Sequence, residues 1–303
     1  MILGTNDLFL LSQCAISAAY QAGHIISSYT YRQVTVKNKT AGESLASQVV
    51  TEVDLLSQNI ILKTLNPTCD IYDLAVLAEE STDDWSRLEK DFFWCIDPLD
   101  GTLPFVESTP GYAVSVALVA RDGTPYIGVI YDPVEQTLYH AVKGGGLFRN
   151  GHAWQPTSVP AAAGQALTFI TDRSFVHHPQ FKATVAELKC IAIEMGYDDV
   201  HLIQHGGAAM NAGWVLEKGP ACYFKFPKPQ EGGGSLWDYA ATACLFQEAG
   251  ASVGDIHGAP LDLNRPDSTF MNHRGVLFAS DQMLARCIRE LYRRMMGQRQ
   301  AGK

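Results

Sequence analysis

The sequence predicts an α/β protein whose two halves are built differently. Residues 1–155 are expected to form an α+β unit, because two amphipathic helical patterns precede a series of short apolar strands joined by turns. Residues 156–303 are expected to form an α/β unit, because apolar strands alternate with helical patterns there. A small, polar, proline-containing stretch from Pro156 to Gly164 marks the expected boundary between the halves.

The N-terminal half begins with two long helical patterns. Apolar side chains step by three or four residues over 8–29 and again over 53–65, which predicts one buried face on each helix. The second helix is expected to end at Asn66-Pro67, since proline lacks the N–H that a helix interior needs. The polar, glycine-containing segment from Asn38 to Ser47 is predicted to be a mobile loop. Short apolar runs then predict strands at residues 76–78, 92–96, 112–120, 126–131 and 137–142.

The C-terminal half shows the alternating pattern. Apolar runs predict strands at residues 167–171, 200–203, 221–226 and 276–279. Helical periodicity predicts helices at residues 179–195, 208–217 and 237–248, followed by a last helix from about residue 283. Gly250 follows the third of these helices, as expected for a residue that ends a helix in the left-handed conformation.

Composition restricts the class of protein. The chain has 303 residues, 47% of them hydrophobic, and a net charge of −9 with no long basic run, so nucleic-acid polymers and anionic membranes are not expected partners. Its seven cysteines form no Cys-x-x-Cys pair, which favours free thiols in a reducing compartment. No secretory signal or membrane span is recognisable, so we expect a cytoplasmic protein.

The stretch from Asp97 to Thr102 is difficult to explain as part of a core. The apolar run Phe92 to Ile96 leads into it, which predicts a turn at the end of a buried strand. Pro98 fixes its own φ, and Gly101 permits a sharp turn. Two carboxylates and a hydroxyl on such a turn suit a hard cation, which prefers several oxygen ligands. The alternative interpretation is a surface turn with solvated acids.

Three further acidic groups stand at the boundaries of predicted elements. They are Asp54, the pair Glu79-Glu80, and Asp238, which follows a tryptophan and precedes small apolar residues. If these groups converged with the central stretch, their carboxylates would repel one another strongly without cations. With two or three Mg²⁺ ions they would form an oxygen-rich site for a phosphate, where metals activate water and stabilise the leaving alkoxide.

Taken in order, these motifs resemble the inositol monophosphatase family of lithium-sensitive, Mg²⁺-dependent phosphatases. The resemblance covers almost the whole chain, and the segments that carry it are Thr51 to Asp54, Ala78 to Ser81, Asp97 to Thr102, Trp237-Asp238 and Glu248 to Gly250. It implies the layered αβαβα sandwich of the sugar phosphatases. It also implies hydrolysis of a small phosphorylated metabolite, with inositol monophosphate as the preferred class.

The resemblance implies a set of metal ligands. Glu79, Asp97 and the carbonyl oxygen of Leu99 would hold a first Mg²⁺. Asp97, Asp100 and Asp238 would hold a second, so that Asp97 bridges the two ions. A third, weaker ion would lie near Glu79 with water.

The resemblance also implies catalytic and substrate-binding groups. Thr102 and Asp54 would position and deprotonate the attacking water. The backbone N–H groups of Gly101 and Thr102 would donate to phosphate oxygens, as turns do in other anion sites. Asp238 would also contact the substrate.

The segments that select the substrate depart from the family pattern. Ala209 stands where a substrate contact is expected. Glu231 is a candidate for gripping a sugar ring, but it lies in the longer, glycine-rich loop 227–235. Lys225 and Lys228 lie near that loop and would suit a second phosphate. The alternative activity is therefore that of a 3′(2′),5′-bisphosphate nucleotidase acting on adenosine 3′,5′-bisphosphate.

A third hypothesis is an inactive relative that only binds a metal or a phosphate ligand. The intact set of acids argues against it. By resemblance alone, the chain is expected to form a homodimer.

Overall fold

The computed structural model describes residues 1–29, 36–38, 49–156 and 164–301, with side chains described in the same ranges except at 36–38, 49–51 and 298–301. The predicted mobile loop Asn38 to Ser47 lies outside these ranges, apart from Asn38. Most of the predicted boundary from Pro156 to Gly164 lies outside them too.

The helices occur close to where the periodicity predicts them. None of those in the described ranges is long and apolar enough to cross a bilayer. Short 3₁₀ turns lie at Ser86–Leu88 and Arg173–His177. The α-helices described are α1 (Thr5–Tyr29), α2 (Glu52–Tyr72), α3 (Thr102–Val106), α4 (Phe181–Glu194), α5 (Ala208–Glu217), α6 (Leu236–Ala249) and α7 (Gln282–Ala301).

The strands are short and mostly buried. The N-terminal strands are β1 (Val36–Asn38), β2 (Val49–Thr51), β3 (Ala75–Ala78), β4 (Phe92–Asp100), β5 (Ala113–Ala120), β6 (Pro125–Asp132), β7 (Thr137–Val142), β8 (Gly146–Arg149) and β9 (His152–Ala153). The C-terminal strands are β10 (Ala166–Ile170), β11 (Asp199–Ile203), β12 (Ala221–Lys225), β13 (Ser252–Gly254) and β14 (Val276–Ala279).

The two large sheets are made from different parts of the chain. Within the described residues, strands β3 to β9 form a seven-stranded sheet in sequence order, in which β3 and β4 are parallel and the other neighbours antiparallel. The five-stranded sheet has the order β11-β10-β12-β14-β13. Its strands β11, β10 and β12 are parallel, and β14 runs antiparallel to both of its neighbours.

Helices separate and cover the two sheets. Helices α1 and α2 pack on the outer face of the seven-stranded sheet, α5 and α6 lie between the sheets, and α4 and α7 cover the five-stranded sheet. Three buried hydrophobic clusters fill the spaces between these layers. Each contains a fully buried aromatic residue: Trp94 in one, Phe246 in the second and Phe169 in the third. This order confirms the predicted αβαβα sandwich. Because one cluster contains residues of both sheets, the division at residue 156 stays a prediction.

The predicted end of α2 at Pro67 is wrong. The helix continues through the proline to Tyr72. Thr68 is 6% exposed, donates its hydroxyl to the Leu65 carbonyl at 2.6 Å and accepts the indole N–H of Trp94 at 2.9 Å. Packing of the last turn against the sheet therefore outweighs the hydrogen bond that the proline cannot donate.

The predicted turn from Asp97 to Thr102 is also wrong in its first part. Strand β4 does not end at Ile96 but continues to Asp100. Its pairing with β5 shifts register between Asp97 and Asp100, which indicates a β-bulge around Pro98. Proline is tolerated at bulges because no ladder N–H is required there.

Candidate metal centre

Three carboxylates meet where the end of β4 faces the start of α6. Oxygen atoms of Asp97, Asp100 and Asp238 lie within 4.8 Å of one another. Asp97 and Asp100 are buried, and Asp238 is half-buried. A hydrogen bond also joins the Asp97 and Asp238 carboxyls. The structure therefore brings together three of the acids that the sequence singled out.

The bulge in β4 explains how two acids three residues apart share one site. In a regular strand, residues i and i+3 point to opposite faces. The shift in register between Asp97 and Asp100 adds a residue and brings both side chains to the same side. The Leu99 N–H donates to Asp97 Oδ1 at 3.0 Å, which holds the bulge closed.

Asp100 is fixed by a helix from the other half of the chain. Its two carboxylate oxygens accept the N–H groups of Ala208 at 3.0 Å and Ala209 at 2.7 Å, at the start of α5. The carboxylate thus caps that helix, whose own N-cap residue is Gly207. Two lone-pair positions remain for another partner.

Ala209 takes part in the site through its backbone. Its side chain is fully buried in the cluster between the sheets, and its N–H donates to Asp100. Its predicted contact with a substrate stays a prediction.

Asp238 is held by the helix it begins. Together with Ser235 it forms a capping box, in which Asp238 Oδ2 accepts the Ser235 N–H at 2.8 Å. The hydroxyl of Ser115, which is paired with Asp97 in the sheet, donates to the Trp237 carbonyl at 3.0 Å. Asp97 and Asp238 are therefore anchored to each other through neighbouring residues.

Glu79 lies beside this cluster but is not one of the three grouped acids. It follows β3 directly, and its N–H donates to the Ile96 carbonyl at 3.1 Å, which places it next to Asp97. Its negative charge raises the pKa of both Asp97 and Asp100. The parallel pairing of β3 and β4 thus brings two acidic motifs together.

The predicted catalytic residues lie at the start of α2 and at the start of α3. Asp54 is 1% exposed in the first turn of α2, as predicted. Thr102 begins α3, and its hydroxyl donates to the Leu99 carbonyl at 3.3 Å. Gly101 has a φ of 85°, a left-handed conformation that glycine adopts without strain, and it turns the chain from β4 into α3.

Glu231 shows no role in the acid cluster. It is exposed, and its charge acts on Arg265. The sequence alone did not indicate this neighbour, because Arg265 is far along the chain. Its predicted grip on a substrate stays a prediction.

Burial and mutual repulsion set the charge of the cluster. Burial raises the pKa of Asp97 well above its usual range, and the charges of Glu79, Asp100 and Asp238 raise it further. Burial likewise raises the pKa of Asp100, and the nearby charge of Asp238 adds to the effect. The pKa of Asp238 is raised by burial, although the Lys225 ammonium opposes this shift. Without a cation, these acids cannot all be ionised at low cost.

Lys225 and Asp172 form a pair behind Asp238. Lys225 Nζ lies 2.6 Å from Asp172 Oδ2, and their side chains are 19% and 25% exposed. Burial by itself lowers the pKa of Lys225, but Asp172 and Tyr239 together outweigh it, so the pKa is raised. Asp172 also accepts the Tyr223 hydroxyl at 3.0 Å. Sequence reasoning missed Asp172, although a polar residue directly after a predicted strand was a usable signal.

The residues present fit divalent magnesium. All side-chain donors of the cluster are carboxylate oxygens, the ligand type that Mg²⁺ prefers. Burial and the charges of neighbouring carboxylates raise their pKa values. A divalent cation between them would offset this repulsion.

A cavity of about 520 Å³ lies elsewhere, and none of the clustered acids lines it. Trp214, His205 and Tyr139 contribute rings to it, and Arg149 and Glu217 contribute opposite charges. This cavity is therefore separate from the acid centre.

Replacing Gly207 by alanine is expected to damage the acid centre. The φ of −65° suits any residue, but an added Cβ would lie 2.6 Å from Gly101 N and 2.7 Å from Asp100 Cγ. Crowding of this kind should lower the free energy of unfolding by about 1–3 kcal/mol. Urea denaturation would measure the change.

The control is the same substitution at Gly213, six residues further along the chain in α5. A Cβ added there meets no atom within 4 Å, and alanine favours the helix by up to about 1 kcal/mol. Equal stability of the two variants would contradict the proposed crowding of Asp100.

Comparison with known proteins agrees with this architecture. The chain is 31% identical to human inositol monophosphatase 2 over 257 residues, which cover 83% of this chain and 82% of the human protein. It is 29% identical to a 3′(2′),5′-bisphosphate nucleotidase of Escherichia coli over 232 residues, covering 74% of this chain and 82% of that protein.

Solved structures show the same fold. The suppressor protein SuhB of Bartonella henselae superposes with a TM-score of 0.69 at 21% identity, over 92% of this chain and 96% of that one. The model of the inositol monophosphatase family matches residues 7–295, a range that includes the whole acid centre. The chain therefore belongs to the inositol monophosphatase family.

Proposed function

We propose that this protein is a Mg²⁺-dependent phosphomonoesterase that hydrolyses a small phosphorylated metabolite, with inositol monophosphate as the preferred class. The observation that supports this most directly is the grouping of Asp97, Asp100 and Asp238 oxygens within 4.8 Å. Family membership supports the same activity, since relatives named as phosphatases match most of the chain. The intact set of acids argues against an inactive relative.

The metal ligands follow from the geometry and the family resemblance together. Glu79, Asp97 and the carbonyl oxygen of Leu99 would hold one ion. Asp97, Asp100 and Asp238 would hold another, and a third would lie near Glu79. Bound Mg²⁺ would supply Lewis-acid activation of water and neutralise charge on the leaving oxygen.

The remaining residues of the site would handle protons and orient the phosphate. Asp54 would accept the proton of the attacking water. Thr102 would orient that water through its hydroxyl, which now donates to the Leu99 carbonyl. The N–H groups of Gly101 and Thr102 would donate to phosphate oxygens as α3 begins. Asp238 would also contact the substrate.

A bisphosphate nucleotide is the second candidate substrate. The half-buried Lys225 ammonium close to Asp238 supports it, because a side-chain cation near the acid centre favours a substrate with more negative charge. Similarity to the E. coli nucleotidase supports it as well. Glu231 and the loop 227–235 would then face the nucleotide rather than a sugar ring.

We also propose that the protein is located in the cytoplasm. The seven cysteines all lie in described residues and are free thiols, which supports a reducing cytoplasm. By resemblance to the family, we propose that the protein acts as a homodimer.

A panel of phosphomonoesters would decide between the substrates. We expect Mg²⁺-dependent phosphate release from inositol 1-phosphate, with a kcat/KM at least about tenfold above that for adenosine 3′,5′-bisphosphate. Released inorganic phosphate is the quantity to measure, with and without Mg²⁺.

The same panel run with Asp97→Asn protein corrects for contaminating phosphatases. Much faster cleavage of the bisphosphate would replace the inositol assignment with the nucleotidase assignment. Release of phosphate from neither compound, nor from other sugar phosphates, would argue for a binding protein instead.

A further inference from the structure

Helix α2 contacts both acidic segments of the site through one pair of side chains. The hydroxyl of Ser57 donates to the carbonyl of Pro98, inside the β4 bulge, at 2.7 Å. The Oε1 atom of Gln58 accepts the Glu80 N–H at 2.9 Å, and its Nε2 donates to the Ser81 hydroxyl at 3.0 Å. One helix is thus bonded to the segments that contain Asp97 and Glu79.

These contacts are buried and regularly spaced. Ser57 is 0% exposed and Gln58 is 4% exposed, so water competes little for either side chain. They follow Asp54 by three and four residues, which places all three on the same face of α2. The helix face that presents the predicted proton acceptor therefore also holds the two acidic segments.

The segment that contains Glu79 needs such support because the pairing of β3 with β4 ends just before it. The last pairing between β3 and β4 is that of Ala78 with Ile96, and the Glu79 N–H donates to the Ile96 carbonyl. Beyond this point the chain turns through Glu80 and Ser81, and the contacts with Gln58 fix the turn to α2.

A glutamine suits this position. Its carboxamide accepts from a backbone N–H and donates to a hydroxyl at once, without adding charge beside the carboxylates. An apolar side chain of similar size would leave the half-buried Glu80 N–H without this acceptor, and the turn could relax away from Asp97.

We propose that Gln58 is a positioning residue for metal binding: it locks the turn from Glu79 to Ser81 so that the Glu79 carboxylate stays beside Asp97. This inference rests on the proposed function, since it takes Glu79 to be a metal ligand. Groups that orient metal ligands through hydrogen bonds commonly change metal affinity by 10–100-fold when they are removed.

The test measures binding of Mn²⁺ alone to the full-length chain by titration calorimetry. Gln58→Met keeps the size of the side chain and removes both hydrogen bonds, and we expect its Mn²⁺ affinity to fall by about tenfold or more. The electron paramagnetic resonance spectrum of the bound Mn²⁺ should also change in Gln58→Met, because that spectrum depends on the ligands of the ion. A general loss of structure would lower the amount of Mn²⁺ bound without altering the spectrum of the ion that remains bound.

Two further variants complete the experiment. Gln21→Met is the matched control, because the Gln21 amide also makes two hydrogen bonds, with Nε2 3.2 Å from Ser17 Oγ and from Thr64 Oγ1. Gln21 is exposed, so this variant should bind Mn²⁺ like the unaltered chain. Ser81→Ala changes an exposed residue and removes only one of the two bonds, so it keeps the test valid if Gln58→Met does not fold. We expect the Mn²⁺ affinity of Ser81→Ala to fall by about two- to fivefold, which is less than the fall expected for Gln58→Met.

The outcomes distinguish a failure of the positioning role of Gln58 from a failure of the proposed phosphatase function. Mn²⁺ affinities of Gln58→Met and Ser81→Ala equal to that of the unaltered chain would overturn the positioning role while leaving the phosphatase proposal intact. An unaltered chain that binds no Mn²⁺ at millimolar concentration and releases no phosphate would overturn both.

Discussion

Asp97→Asn protein is expected to lose phosphatase activity by about 10³-fold or more, which corresponds to about 4 kcal/mol of transition-state free energy. Asparagine keeps the acceptor for the Leu99 N–H and can donate to Asp238, so the fold should survive. It removes the charge at the centre of the cluster, where the predicted bridge between two ions lies. Released phosphate at saturating Mg²⁺ measures the loss, and Asp238→Asn should behave in the same way.

The same variant should be more stable than the native chain when no metal is present. Folding raises the pKa of the Asp97 carboxyl above its ordinary value of 3.8, chiefly through burial. Above about pH 4 the native state therefore holds a proton that the unfolded state has lost, and stability falls as the pH rises. Because asparagine does not titrate, its stability advantage should grow as the pH rises above about 4.

Thermal unfolding in a chelator measures the stability advantage of Asp97→Asn without metal. A second measurement in Mg²⁺, without the chelator, shows how far the ion stabilises each protein. For a chain of this length, a gain of 1 kcal/mol corresponds to a rise of about 1–2 °C in Tm. Asp199→Asn is the control, because Asp199 is exposed and pairs with Lys189 on the surface. An Asp97→Asn protein that retains activity, or is stabilised by Mg²⁺ as much as the native chain, would refute the assignment of Asp97.

Lys225→Met is expected to destabilise the protein by about 2–3 kcal/mol, because it leaves the carboxylate of Asp172 without its cation. The Nζ–Oδ2 distance is 2.6 Å, and both side chains are less than a third exposed, so solvent screens the loss only in part. Asp238 would lose the nearby positive charge as well. The free energy of unfolding in urea is the quantity to compare.

A second substitution tests the cause. Adding Asp172→Asn to the Lys225→Met chain should restore part of the lost stability, since the asparagine oxygen still accepts from Tyr223 and carries no charge. Lys189→Met breaks an ion pair whose partners are 50% and 61% exposed, and should cost less than about 1 kcal/mol. If Lys225→Met costs no more than this surface control, the buried pair does not stabilise the fold.

Local patterns were sufficient to predict most of the architecture and the identity of the acids. The periodicity of α5 and the apolar run of β14 gave both elements with their observed bounds. Asp97 and Asp238 could be recognised because charged residues next to buried runs require a partner or a ligand. The capping box formed by Ser235 and Asp238 could also have been predicted from their spacing alone.

The supporting contacts could not be predicted in this way. The Ser115 hydroxyl reaches the Trp237 carbonyl across 122 positions of the chain, and Gln58 reaches Glu80 across 22. Such bonds depend on how layers pack, and no local pattern encodes them. The same reason explains the continuation of α2 beyond Pro67, where packing of Thr68 against Trp94 decides the outcome.

The capping of α5 by Asp100 connects the charge of the site to backbone groups of a separate helix. The amides of Ala208 and Ala209 donate directly to this carboxylate, at 3.0 and 2.7 Å. Any ion that draws electron density from Asp100 weakens both hydrogen bonds at once. The two amide resonances are thus internal spectroscopic probes, through which NMR could follow occupancy of the site without a substrate or an added label.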